Sequence, residues 1–219
     1  MAVIWHPSPN FGPRRNGETP SLVVLHFTEM TSAKAALDRL CSPAAEVSAH
    51  YLIGRDGTVW KLVDEERRAW HAGAGVWRGQ DDVNSRSIGI ELDNDGASPF
   101  AAPLMRALEA LLGDIRTRWA IPATGVIAHS DMAPDRKIDP GARFDWRRLA
   151  RLGHAIWPAQ SGDGTRPLQA SLDKIGYPEA PAQARLRAFR LRFQTGSDGP
   201  ETAHDRAVAD ALTQMYDIG

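Results

Sequence analysis

Four consecutive aliphatic residues, Leu22-Val23-Val24-Leu25, constrain this chain more than any other feature. The run is bounded by Pro20 on one side and by polar residues after His26 on the other. A strand with water on one face alternates apolar and polar side chains, whereas one that is apolar at every position is covered on both faces. The run therefore predicts a buried central strand ending near His26.

The flanking segments extend that reading. His50-Tyr51-Leu52-Ile53 and Thr58-Val59-Trp60-Lys61-Leu62-Val63 enclose Arg55-Asp56-Gly57, whose Asp-Gly pair supplies hairpin turn chemistry. Ser87-Ile88-Gly89-Ile90-Glu91-Leu92 alternates, placing Ile88, Ile90 and Leu92 on one face and Glu91 on the other, at a strand end. Residues 125–129 form another short strand. Thr31 or Ser32 caps a helix bearing Ala36, Leu37 and Leu40. Leu104, Leu108, Leu111, Leu112 and Ile115 fall at helical spacing, and residues 144–152 read as a further helix. Strands alternating with helices predict an α/β fold, a mixed central β-sheet flanked by helices.

Residues 159–166 are a linker by composition. Beyond them, three apolar stripes (Leu168, Leu172, Ile175; Leu186, Phe189, Phe193; Val208, Leu212, Met215) predict a small three-helix unit. The expected division is 1–158, a linker at 159–166, and 167–219.

Composition excludes several classes. Of 219 residues, 42% are hydrophobic and 24% charged, which rules out a disordered or low-complexity chain. A formal net charge of -1 leaves no basic excess for a nucleic-acid partner. A single cysteine, Cys41, forms no internal disulfide and supports no thiolate-rich zinc site. No stretch approaches the roughly 18 apolar residues of a membrane span. The first residues lack a basic start and a continuous apolar segment, so the chain as given is expected to be cytoplasmic. A periplasmic or outer-membrane-associated location is the alternative if the N-terminus was trimmed.

Chemistry-bearing side chains gather at the ends of these elements. His26 follows the first strand, His129 follows a later one, and Asp139 lies in Arg136-Lys137-Ile138-Asp139-Pro140-Gly141. Two imidazoles and a carboxylate suit zinc with a fourth position open for water. Their wide separation gives no local spacing signal, and a lone strand-end histidine is more often a satisfied polar residue. If residues 137–139 are extended, Lys137 and Asp139 project to one side. Lys137 would then stabilise negative charge on oxygen and Glu91 would act as general base; a structural ion pair between the two is the alternative. Trp70 and His71 open an irregular segment, 70–86, and are candidates for shaping a substrate groove. His50 reads as a hydrogen-bonded core histidine.

Five motifs occur in order: Leu25-His26-Phe27-Thr28; Val47-Ser48-Ala49-His50-Tyr51-Leu52-Ile53; Arg68-Ala69-Trp70-His71-Ala72-Gly73; Ser87-Ile88-Gly89-Ile90-Glu91-Leu92; and the stretch from Ala128-His129-Ser130-Asp131 to Lys137-Ile138-Asp139-Pro140-Gly141. Together they resemble the zinc-dependent N-acetylmuramoyl-L-alanine amidases of the AmpD/AmiD type, kin to T7 lysozyme and peptidoglycan-recognition proteins. The resemblance covers about residues 20–150. It implies zinc (Zn2+) on His26, His129 and Asp139, with Glu91 and Lys137 the catalytic pair. It further implies peptidoglycan fragments as partners, either muropeptides, with 1,6-anhydro forms among the candidates, or the sacculus. Phe27 and the segment Asp82-Val83-Asn84-Ser85-Arg86 depart from the cytoplasmic AmpD pattern. The C-terminal part, through Leu168-Gln169-Ala170-Ser171-Leu172, Ile175-Gly176-Tyr177 and Phe189-Arg190-Leu191-Arg192-Phe193-Gln194, resembles a peptidoglycan-binding-like helical module. The rival reading is a non-catalytic peptidoglycan-recognition module, and the presence of every proposed ligand argues against it.

Overall fold

The aliphatic run is the core of strand β3 (Leu22–Phe27), buried at every position. It belongs to a six-stranded sheet ordered β1 (Val3–Trp5), β5 (Val59–Lys61), β4 (Tyr51–Ile53), β7 (Ser87–Leu92), β3, β8 (Val126–Ala128). β3 runs parallel to both β7 and β8, β4 runs parallel to β7, and β1 runs parallel to β5. The antiparallel pair is β4 with β5, the expected hairpin, where Gly57 takes a left-handed φ of 88° that a side chain would strain. The sheet is thus mixed, as the alternation of elements predicts. A separate ribbon pairs β2 (Phe11–Pro13) with β6 (Arg67–Ala69). This computed structural model describes residues 2–217, so the expected limits of the two units at 1 and 218–219 lie outside the described residues.

Period-two alternation sorts the sheet's side chains into two apolar layers. Val23, Leu25, Ile88, Ile90, Val126 and Ala128 face helix α2 (Ala102–Trp119), which returns Leu104, Leu108, Leu111, Leu112 and Ile115 on one stripe. Leu22, Val24 and Ile127 face the opposite way. Complete burial of one such side chain stabilises the fold by about 1.5–3 kcal/mol, so both faces need cover. Helix α1 (Ala33–Leu40) supplies part of it over Leu52, and Ser32 Oγ caps that helix by accepting from Ala35 N at 3.2 Å.

The rest of that face packs in one apolar cluster with α5 (Leu168–Ile175), α6 (Ala182–Phe193) and α7 (Ala203–Asp217). The connecting segment lies against α7, where Gly162 N donates to Ala207 O at 2.8 Å. Between β8 and these helices come a one-turn helix, α3 (His129–Met132), and α4 (Trp146–Arg151). The sequence reading carries the strand through His129, but β8 ends at Ala128. Asp131 accounts for the difference: its Oδ2 accepts from Ala128 N at 2.9 Å and starts a helical turn at His129.

Candidate metal centre and catalytic cleft

Strand register builds the site. His26 stands opposite Glu91 on β7, and Leu25 stands opposite Ala128, the residue before His129 on β8's side. Because alternate residues share a face, His26, Glu91 and His129 emerge together at the carboxyl ends of three adjacent parallel strands. That is where open α/β sheets bind ligands. Asp139 arrives from the loop after α3, tied down where Ser130 N donates to its carbonyl at 3.0 Å.

Three ligand atoms converge. His26 Nδ1, His129 Nδ1 and Asp139 Oδ2 lie 2.9 Å from one another, and all three residues are buried. The outer nitrogens fix where the ring protons sit. His129 Nε2 lies 3.0 Å from Ala72 O, which accepts only, so Nε2 carries the hydrogen. His26 Nε2 donates to His71 Nδ1 at 3.0 Å, His71 Nε2 donates to Ser87 Oγ at 3.1 Å, and Ser87 Oγ donates to Val83 O at 2.5 Å. Burial, with His129 beside it, pushes His26 down to about 4, and burial likewise lowers His71, so these rings are neutral at pH 7. With the hydrogen of each neutral ring on Nε2, two nitrogen lone pairs and a carboxylate oxygen face one another. They repel unless a cation occupies the space between them, and the His-His-Asp donor set suits a divalent metal.

The catalytic candidates flank this trio. Glu91 Oε2 is buried without a hydrogen-bond partner. Burial, and then the charge of Asp139, push its carboxyl well above the ordinary value, with Lys137 opposing. Lys137 and Asp139 line the same cleft while Ile138 between them is 47% exposed.

The cleft has a volume of about 320 Å³ and is walled by Phe27, Met30, Leu40, Val47 and Trp70. His71 is buried beneath it, with both ring nitrogens engaged by His26 and Ser87. Its ring lies directly over Gly89, where a Cβ would stand 2.3 Å from the His71 Cγ. His50 is a core histidine, its Nδ1 accepting from Gly89 N and its Nε2 donating to Arg67 O, each at 3.0 Å. Sequence reasoning missed the part His71 and the Ala72 carbonyl play in orienting the two rings of the candidate metal site. The available signal was Gly89, a vacancy on the polar face of β7 that something must fill.

The chain is similar to a family of known enzymes. Residues 16–142 match the family described as N-acetylmuramoyl-L-alanine amidase. The chain is 34% identical to N-acetylmuramoyl-L-alanine amidase AmiD of Escherichia coli K12, over 89% of this chain and 83% of that protein. It is also 34% identical to 1,6-anhydro-N-acetylmuramyl-L-alanine amidase AmpD of Citrobacter freundii, over 67% of this chain and 87% of that one. Among solved structures, E. coli AmiD in complex with the substrate anhydro-N-acetylmuramic acid-L-Ala-D-gamma-Glu-L-Lys superposes with a TM-score of 0.82 at 31% identity, covering 96% of this chain and 93% of that one. AmpDh3 of Pseudomonas aeruginosa in complex with anhydromuramic pentapeptide gives 0.80 at 28% identity, covering 96% of each chain. With a family match spanning most of the sheet and a His-His-Asp trio at its carboxyl edge, the chain belongs to the N-acetylmuramoyl-L-alanine amidases.

Proposed function

We propose that the chain hydrolyses the amide between the lactyl group of N-acetylmuramic acid and the L-alanine of the stem peptide, with zinc held by His26, His129 and Asp139. The carrying observation is the convergence of three lone-pair donors beside a carboxyl whose Oε2 has no partner. Zinc held by these residues would polarise a carbonyl and acidify water.

The protein's own groups do the rest. Glu91, whose carboxyl burial pushes well above the ordinary value, accepts the water proton as the oxygen attacks the carbonyl carbon. The same carboxyl then returns that proton to the alanine nitrogen as the C–N bond breaks, which closes the proton balance. The Lys137 ammonium faces the cleft and stabilises charge developing on the carbonyl oxygen. Trp70 and Phe27 exclude water along the wall and give the muramyl peptide an apolar bed.

The reading extends to the C-terminal helices as a wall-binding surface. A cavity of about 630 Å³ along α6 and the 194–199 loop combines Arg187, Leu191, Gln194 and Asp198, a polar and apolar mixture suited to peptide-bearing glycan. Arg187→Glu should reduce co-sedimentation with sacculi.

Incubation of the protein with a purified muropeptide, with and without chelator, tests the main reading. Mass analysis should show free stem peptide and a muramyl product, lost with chelator and restored by zinc. Intact muropeptide in the presence of the zinc-loaded protein would overturn it.

A further inference from the structure

Asp131, two residues beyond His129, is fully buried and receives hydrogen bonds from three donors on three different segments. Ala128 N reaches its Oδ2 at 2.9 Å, from the end of β8. Tyr177 OH, just past α5, reaches its Oδ1 at 2.7 Å, and Arg192 Nη1, on α6, closes on Oδ2. The second arm of the same guanidinium donates to Val126 O at 2.9 Å. Arg192 thus grips the strand before His129 and the helical turn that contains it. The guanidinium is itself held face-on to Trp146 at 4.3 Å.

The other support of the His129 ring is gripped by the same helices. Its Nε2 donates to Ala72 O, on a segment whose Val76 N donates to Met132 O at 3.0 Å. Trp77, next along that segment, is buried with its ring 5.4 Å from Tyr177 and 6.2 Å from Tyr216. Arg78 N donates to Gly176 O at 2.9 Å. Backbone and ring partner of His129 are therefore both anchored to residues beyond 142, outside the segment that matches the family.

We propose that Tyr177 and Arg192 are positioning residues for His129, so that the C-terminal helices set the metal affinity of the site. A ligand imidazole is useful only in one orientation, and the groups that fix orientation carry affinity without touching the metal. The proposal rests on the reading of His129 as a zinc ligand.

The test measures zinc affinity of the full chain by competition with a chromophoric chelator, alongside thermal denaturation without metal. Tyr177→Phe keeps the ring and every charge while deleting one donor to Asp131; Arg192→Lys keeps the charge and loses the two-armed grip. Each should weaken zinc binding roughly tenfold or more. Leu212→Ala, at a buried α7 position that donates nothing to Asp131, is the control: it should lower the melting temperature while leaving zinc affinity within about twofold. If Arg192→Lys does not fold, Tyr177→Phe decides. Unaltered affinity in Tyr177→Phe overturns the proposal, as does an equal loss in Leu212→Ala, which would mark general destabilisation. Failure of the ligand reading looks different: His129→Ala would then bind zinc as tightly as the parent.

Discussion

His26 and Glu91 are register partners on neighbouring parallel strands, one strand spacing apart and on the same face. An imidazole of the candidate metal trio and a carboxyl with an unpartnered oxygen are thereby fixed to each other by the backbone ladder. Glu91→Gln preserves the shape of the side chain and removes its capacity to take a proton. Amidase turnover should fall about 10²- to 10⁴-fold, with zinc stoichiometry unchanged by metal analysis. Near-parental turnover would remove Glu91 from proton transfer.

Removing a proposed ligand acts differently. His129→Ala should abolish zinc binding and activity together. In the parent, free zinc at about 100 times its dissociation constant should add about 2.7 kcal/mol of stability. The variant should show no such gain in its melting temperature, and a preserved gain would exclude His129 from the site.

Gly89→Ala probes the support under His26. The added Cβ would overlap the His71 ring, which has no room to move without releasing His26 or Ser87. Overpacking of this kind costs about 1–3 kcal/mol, and the displaced ring should also weaken zinc binding about 10- to 100-fold. Calorimetry without metal and chelator competition separate the two effects.

Acid sensitivity should trace in part to Glu65. Burial opposes its ionisation, but hydrogen bonds from Arg118, Trp119 and Tyr51 outweigh it and bring the carboxyl from 4.5 down to about 2. A depressed folded-state value contributes stability above pH 4.5 that is lost as pH falls from there toward 2. The contribution at neutral pH is on the order of 3 kcal/mol. Glu65→Gln should therefore be less stable at pH 7 and show a flatter decline below pH 4.5 in denaturant titrations. A parallel decline in both proteins would contradict the assignment.

Much of this architecture was legible because it is local. Leu22 to Leu25 announced a strand covered on both faces, the Asp56-Gly57 pair announced a hairpin, and the leucines of α2 announced a helix by their spacing. Strand β1 was not legible: all its residues are exposed, so burial wrote no pattern into it. β6, Arg67–Ala69, carries charge where a strand signature would need alternation. The site residues His26, Glu91, Lys137, His129 and Asp139 came from chemistry at element ends together with family resemblance. What no spacing could supply is the register that aligns His26 with Glu91, or the reach of Tyr177 and Arg192 to Asp131. Those depend on contacts between segments far apart in the chain, where sequence carries no periodic signal.

The shared apolar cluster has a consequence for biosynthesis. Leu22 and Val24 are made early, yet part of their cover comes from α5, α6 and α7, which are made long after them. A nascent chain that stops short of Arg192 displays a partly uncovered apolar sheet and a buried-type Asp131 without its guanidinium partner. Translation that terminates early should therefore yield insoluble material for proteases rather than a smaller working hydrolase.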